Sequence, residues 1–367
     1  MSQSWPVGLT RTLAPAQAGV ATPRELLPAH ITAAEAAAAR QPRCVRVNTL
    51  RLTVSEAVAQ LRGSLPAGLA ITPDALLPDV LLLPAGTDLH AHHLVTTGAL
   101  VLQTRGSCMA AHALAPRPGW VVVDACAAPG NKTTHLAAVM RGSGRVHAFD
   151  ANPERLERLR AAVRLAGAHR VVGSTVADFL RLDPCAEPLR SADALLLDPS
   201  CSGSGTALTR GDALLPSAGA GAGGTDEGRI AALSRFQLAA LRHALKCPKA
   251  SRLVYSTCSV HAQENECVVA AALASPGVAA AGWRLEAALP RWRGRGHPGH
   301  GIDDASTACL VRTDPLTDDC DGFFLALFVR DVEPDARQAP KPREVRWAGG
   351  GGGGKRKRGG SAAPLFV

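Results

Sequence analysis

From Arg43 onward, short apolar runs alternate with amphipathic stretches in a regular order. "CVRVNTLRL" (44–52) has the alternation of a strand, and "TVSEAVAQLRG" (53–63) predicts a short helix ended by Gly63. "DVLLLP" (79–84) predicts another strand, so residues 41–104 are expected to form a small α/β module. Continuous apolar runs then follow at "WVVVDA" (120–125), "RVHAFD" (145–150), "RVVGST" (170–175), "ADALLLD" (192–198) and "SRLVYS" (251–256), separated by helical patterns. The helix after "RVHAFD" opens with Asn152 as N-cap and Pro153 in the first turn, and closes at Gly167. Strands fully buried on both faces and separated by helices predict an α/β fold, a doubly wound parallel sheet, over 105–332. "GFFLALFVR" (322–330) follows a long irregular stretch and is expected to join that sheet antiparallel.

The flanks do not share this pattern. Residues 1–40 are rich in Ala and Pro, with no acid before Glu25, and read as a mobile arm; an organelle transit peptide has the same composition. "SAGAGAGG" (217–224), which has no side chains to build a core, lies in a low-complexity insertion, 211–228. Glycines 349–354 lead into "KRKR" within a basic tail, 333–367.

Charge changes the picture less than it promises. The formal net charge is +9, but from Ala339 to Val367 seven Lys/Arg face a single Glu344, so the folded body holds only +3 of it. That is too little to predict RNA binding by itself. No apolar run approaches the ~18–20 residues of a membrane span, and no membrane role is expected. The 10 cysteines include no C-x-x-C pair, so neither a zinc site nor a compact disulfide framework is predicted, and no metal is expected. "HAHH" (90–93) reads as a polar loop with exposed histidines.

In doubly wound sheets, ligands bind at the carboxyl ends of the strands. The first strand of the large sheet runs into "DACAAPGNKTTHLAA", whose small residues let a ligand approach the backbone, and Asp150 ends the next strand 20 residues after Gly130. A nicotinamide site would want G-x-G-x-x-G, and a triphosphate loop G-x-x-x-x-G-K-[ST]; neither is present. Asp124 and Asp150 would repel a triphosphate, whereas an adenosyl cofactor without phosphates tolerates them. S-adenosylmethionine is favoured, and a tight turn that binds nothing stays open beside it.

Two further strands end in cysteine turns, "LLLDPSCSGSG" and "RLVYSTCSVHAQENE", which places Cys201 and Cys258 at one edge with Asp198. Two thiols, a carboxyl and an adenosyl donor suit methylation of a pyrimidine at carbon 5. A thiolate adding at carbon 6 makes carbon 5 nucleophilic, and a carboxyl on ring N3 assists the addition. A helix start near His261 would lower a thiol at Cys258, which favours that residue as nucleophile, with Cys201 left open as the rival. Gln237, inside an apolar helical stripe, reads either as a backbone anchor near the cleft or as a buried structural amide.

These motifs, with "PRCVRVNTLR", "LLPAGTDLH", "RIAALSRFQLAALRHAL" and "DGFFLALFVR", resemble the NOL1/NOP2/Sun-domain family of RNA cytosine-5 methyltransferases over about 43–330, closest to the branch that methylates large-subunit ribosomal RNA. The resemblance implies a Rossmann-like methyltransferase sheet, with 41–104 as an RNA-binding module. It implies Cys258 as nucleophile, Cys201 in release of the adduct, and Asp198 with Lys132 at the cytosine. It further implies S-adenosylmethionine contacts at Cys126, Ala127, Ala128, Pro129, Gly130, Asn131, Lys132, Asp150, Arg155, Asp178 and Asp198. The expected partner is RNA, either large-subunit rRNA or the pre-ribosome. The expected state is a monomer, and the expected location the nucleus and nucleolus, with mitochondrion or chloroplast as the alternative.

Two positions depart from the family pattern. Where relatives carry Asp and Ala in Q-D-x-A-S, this chain has Thr104 and Gly106. A catalytically inactive RNA-binding assembly factor with the same fold is the competing reading, and the presence of both cysteines with Asp198 weighs against it.

Overall fold

The computed structural model describes residues 36–37, 39–206 and 226–332. Most of the arm 1–40, most of the insertion 211–228 and the tail 333–367 lie outside the described residues.

The first elements are β1 (Arg43–Val47), α1 (Val54–Ser64), β2 (Thr72–Pro73), β3 (Val80–Leu83), α2 (His93–Thr96) and β4 (Leu100–Leu102). Their four strands pair in the order β2-β3-β1-β4, antiparallel throughout. The expected strand 44–52 stops at Val47 because Asn48 turns the chain: its Oδ1 accepts the Leu50 amide, as in an Asx turn. Thr53 and Glu56 form a capping box at the start of α1, and the helix runs through Gly63 to end at Ser64. Val45, Val47, Leu61, Leu81, Leu83 and Leu100 form the core of this small sheet.

The large sheet begins after α3 (Arg105–Leu114), with β5 (Val121–Asp124), α4 (Asn131–Val139), β6 (Arg145–Asp150), α5 (Pro153–Ala166), β7 (Val172–Val176) and β8 (Ala194–Leu197). It continues with α6 (Asp226–Ala244), β9 (Arg252–Thr257), α7 (Glu266–Leu273), α8 (Pro276–Ala280), β10 (Arg284–Glu286), α9 (Asp304–Cys309), β11 (Val311–Thr313) and β12 (Phe323–Val329). The order is β10-β12-β9-β8-β5-β6-β7, with β11 also on β12. Strands β5 to β9 pair in parallel, while β12 is antiparallel to β9, β10 and β11. Asn152 caps α5 through the Arg155 amide and Gly167 closes it at φ 74°, as the punctuation predicted. Helix α6 begins at Asp226, inside the range assigned to the insertion.

Both faces of the large sheet are covered. Along β12, Phe323, Leu325 and Leu327 join one core and Phe324, Ala326 and Phe328 the other, so the two-residue period of the strand builds two cores at once. Each such Leu or Phe contributes ~1.5–3 kcal/mol when fully buried.

Polar ties bind the small sheet to the large one. Arg46 on β1 is fully buried, with Nε donating to Gln103 Oε1 at 2.7 Å and Nη2 to Thr134 Oγ1 at 3.0 Å. Asn48 Nδ2 donates to the carbonyls of Gly98 and Ala166 at 2.8 and 2.9 Å. Thr104 caps α3 by accepting the Ser107 amide, the same service an Asp renders at that position. Gly106 lets Phe323 pack against α3: a Cβ there would lie 2.7 Å from Phe323 Cβ.

Candidate active site

The sheet reverses its winding between β5 and β8, and the loops leaving β5, β6, β7, β8 and β9 converge at that edge. The loop after β5 reaches α4 through Gly130 at φ 106°, where a Cβ would lie 3.2 Å from Leu159 Cα; glycine alone fits both demands. A cleft opens beside this loop, bordered by Cys126, Asp150, Arg155, Asp178, Phe179 and Phe236.

Asp150 Oδ2 accepts the Ala128 amide at 3.2 Å and Oδ1 the Asn152 amide at 3.0 Å. Arg155 Nη2 donates to the Ala128 carbonyl at 2.8 Å and lies 3.5 Å from Asp150 Oδ2, bracing the same loop. Asp178 Oδ1 accepts the Leu180 amide at 3.1 Å. Of the residues predicted to touch a cofactor, Cys126, Asp150, Arg155 and Asp178 therefore border the cleft. Ala127 and Ala128 are buried in the loop, with Pro129, Gly130 and Asn131 carrying it into α4. Burial, then the charges of Asp124 and Asp198, push the Cys126 thiol well up, so it lines the cleft in its neutral form.

Lys132 and Asp198 do not border the cleft; they face each other beside the cysteine turns. Lys132 Nζ lies 2.7 Å from Asp198 Oδ2, and Ser256 Oγ donates to Asp198 Oδ1 at 2.6 Å. Parallel pairing of β8 with β9 sets Leu197 opposite Tyr255, which brings the next residues, Asp198 and Ser256, together. Burial alone would lower Lys132, but Asp198, with further help from Cys258 and Asp124, outweighs it and keeps the ammonium charged. Under this pair, Thr133 Oγ1 donates to Asp124 Oδ2 at 2.7 Å, and burial, reinforced by Asp198 and Asp150, pushes Asp124 up to about 7.

Cys201 Sγ and Cys258 Sγ are 3.2 Å apart, which realises the expected convergence of the two strand ends. The Cys201 thiol is pushed far up by its hydrogen bond to Cys258 and by burial, so in the free site it keeps its proton. The expected helix near His261 is instead a single 3₁₀ turn, Ala262–Glu264. Asn265, at φ −117° and ψ −100°, breaks the chain there, and regular helix starts at Glu266. The cation near Cys258 is Lys132, not a helix end.

Gln237 unites its two readings: fully buried, it donates to the Ser200 carbonyl at 3.0 Å and to Glu264 Oε1 at 2.8 Å. Ser256, Glu264 and Phe236 were missed by the sequence reading. Only "QENE", with acids beside an apolar run, offered a signal, and Glu264 and Glu266 are both fully buried. "HAHH" lies at the surface, with His92 capping α2 and His93 as the first residue of that helix. Among the described residues, Asp79, His112 and His135 place one ligand-type atom each within 4.8 Å of the others. Both imidazole Nε2 atoms are already bonded to the carboxylate, at 2.7 and 2.9 Å.

The model of the family "16S rRNA methyltransferase RsmB/F" matches residues 111–329. That of the "NOL1/NOP2/Sun domain family member 5, ferredoxin-like domain" matches 67–103. The chain is 46% identical over 291 residues to the 25S rRNA (cytosine-C(5))-methyltransferase NSUN5 of Arabidopsis thaliana, covering 79% of this chain and 49% of that protein. It is 39% identical over 304 residues to the 28S rRNA (cytosine-C(5))-methyltransferase of Mus musculus, covering 79% of this chain and 62% of that protein. It thus spans about half to two thirds of these relatives' length. A methyltransferase homolog protein from Pyrococcus horikoshii has a related structure, with a TM-score of 0.65 at 28% identity, covering 81% of this chain and 89% of that one. With a family match across most of the large sheet, and with both cysteine turns, the aspartate and the cofactor-type loop in place, the chain belongs to the NOL1/NOP2/Sun-domain family of RNA cytosine-5 methyltransferases.

Proposed function

We infer that this protein methylates carbon 5 of a cytosine in large-subunit ribosomal RNA, acting as a monomer in the nucleolus with S-adenosylmethionine as donor. The observation that carries this reading is the pair of thiols 3.2 Å apart, set beside a carboxyl that Lys132 and Ser256 hold in place. The cleft fits the donor: its lining mixes small and apolar side chains with Arg155 and two carboxylates, Asp150 and Asp178, which can accept the hydroxyl and amino donors of an adenosine. Cys126, Asp150, Arg155 and Asp178 would hold it. When bound, S-adenosylmethionine supplies an electrophilic methyl group on a sulfonium.

The chain's own residues supply the rest. Cys258 adds through sulfur to carbon 6 while a proton shared between Asp198 and ring N3 takes up the charge that develops on the ring; carbon 5 of the resulting enamine then bonds the methyl carbon as the methyl–sulfonium bond breaks. Lys132 stabilises both the Asp198 carboxyl and the Cys258 sulfur. Cys201 then serves at release: once the C6–S bond has removed the Cys258 partner that holds its proton, Cys201 acts as thiolate and accepts the carbon 5 proton, whose electron pair restores the C5–C6 double bond while the C6–S bond breaks to return Cys258 as thiolate. Residues 41–104 help hold the RNA, residues 105–332 carry the chemistry, and the target base must leave its stack to reach the cysteines.

Trapping on RNA containing 5-fluorocytosine tests the reading, because fluorine cannot depart as a proton. Wild-type protein should remain covalently attached in the presence of S-adenosylmethionine, and Cys258→Ala should not. Attachment that survives Cys258→Ala but vanishes in Cys201→Ala would reverse the two roles, and no attachment by any form would leave an RNA binder without turnover.

A further inference from the structure

Glu264 lies fully buried in the 3₁₀ turn after Cys258, and it joins the two cysteine turns directly. Its Oε1 accepts the backbone amide of Ser202, the residue after Cys201, at 2.9 Å. Its Oε2 accepts the hydroxyl of Ser259, the residue after Cys258, at 2.6 Å. Gln237 Nε2 adds a third bond at 2.8 Å, so one carboxylate gathers donors from α6 and from both turns. Burial works against the charge, but the bonds from Ser202, Ser259 and Gln237 outweigh it and hold the acid below the ordinary carboxylate range. Its described partners are uncharged donors, an arrangement that orients neighbours and neutralises nothing.

The ties are unequal. Around Cys258 the turn has others of its own: Asn265 Nδ2 donates to the Ser259 carbonyl at 2.8 Å, and Thr257 Oγ1 bonds Asn265 Oδ1. Next to Cys201, the Ser202 amide bonds Glu264 directly, and two further ties run through groups that themselves donate to Glu264: Gln237 on the Ser200 carbonyl, and the Ser259 hydroxyl that receives Ser202 Oγ at 3.1 Å; the Gly205 amide on the Cys258 carbonyl, at 2.9 Å, is independent of it.

We propose that Glu264 is a positioning residue that holds the Cys201 turn against the Cys258 turn, and that it thereby sets the rate of adduct release; the second clause rests on the covalent mechanism above. Loss of the carboxylate frees the Ser202 end first. Cys258 keeps its place for addition, while Cys201 drifts from the carbon 5 proton and from the sulfur it must help expel.

Two readouts test this on the full chain. The first needs no RNA: diamide accepts two hydrogens, and the Cys201–Cys258 disulfide that forms is quantified by peptide mass spectrometry. Glu264→Ala should close that disulfide at least about 10-fold more slowly than wild type, and Glu264→Gln, which still offers an oxygen to Ser202 and Gln237, should recover to within about 3-fold. The second uses cytosine RNA with S-adenosylmethionine. Glu264→Ala should accumulate the covalent protein–RNA species and lose about 10- to 100-fold in steady turnover, with first-turnover methylation within about 3-fold of wild type. If Glu264→Ala fails to fold, Ser259→Ala, which cuts one of the two links, is held to the same criteria. Wild-type disulfide closure and wild-type release in a folded variant would overturn the proposal. Failure of wild-type trapping on 5-fluorocytosine RNA would sink the covalent mechanism instead, and the disulfide comparison would still decide the positioning role.

Discussion

Lys132 Nζ stands 2.7 Å from Asp198 Oδ2, and the pair is largely shielded from water, with side-chain exposures of 15% and 26%. Ser256 closes the other carboxylate oxygen, so Asp198 meets a substrate with its orientation already fixed. Asp198→Asn should lower kcat/KM by about 10²- to 10⁴-fold in a tritiated-methyl transfer assay. Ser256→Ala removes one hydrogen bond to a charged acceptor, worth ~1.5–3 kcal/mol, and should cost about 10- to 100-fold in the same assay. An unaltered rate in Ser256→Ala would mean that Lys132 alone orients the carboxyl.

Asp124 links catalysis-side electrostatics to stability. Its folded value is pushed up to about 7 by burial, so between pH 4 and 7 the folded protein binds a proton that the unfolded chain has released. Stability therefore falls as pH rises through that window, by roughly 2–3 kcal/mol from pH 5 to 8 for this group. Asp124→Asn carries no titrating proton, and urea titrations should show the variant gaining on wild type steadily from pH 5 to 8. A constant difference across that range would contradict the assignment.

The Asp79–His135 contact works in the opposite sense. Burial, followed by the charge of Arg46, pushes His135 down to about 3, against the opposing pull of Asp79. Hydrogen bonds from His112 and His135 outweigh burial at Asp79 and hold it well below the carboxylate range. The unfolded chain takes up the histidine proton near pH 6.5 and the folded protein does not, so stability is full above that pH and declines on acidification. The expected loss from this ring is ~3 kcal/mol between pH 6.5 and 4. His135→Gln should lose less over the same interval in urea titrations, although it starts from a lower value at pH 7.5.

Much of this was legible in the sequence, and the exceptions share a cause. Strand β6 falls on Arg145–Asp150 as read, and Asn152, Pro153 and Gly167 bound the next helix, because apolar runs and caps act locally. The meeting of Cys201 with Cys258 was also legible, since parallel strands share one carboxyl edge. The Glu264–Ser202 bond was not, because its partners are 62 residues apart and each looks like an ordinary polar residue in a loop. The expected helix near His261 failed for a local reason: Asn265 adopts a backbone conformation that no propensity announces.

Gly205 and Gly322 meet where the Cys201 loop passes the start of β12. A Cβ on Gly205 would fall 2.0 Å from the Gly322 carbonyl oxygen, an overlap with backbone that no rotamer change relieves. Gly205→Ala should cost at least about 1–3 kcal/mol in thermal unfolding and lower methyl transfer more than that loss explains. Wild-type melting and activity would show that the loop has room to shift.

Arg46 and Asn48 make the small sheet a fixed wall and not a jaw. Swinging it away from the large sheet would strip Thr134 and the Ala166 carbonyl from donors sealed off from water, at ~1–3 kcal/mol for each. On the proposed function, an RNA held by this sheet would meet a preformed bed. The deformation needed to bring a cytosine to the cysteines would then fall on the nucleic acid, and targets would be sorted by how cheaply a given loop surrenders its base.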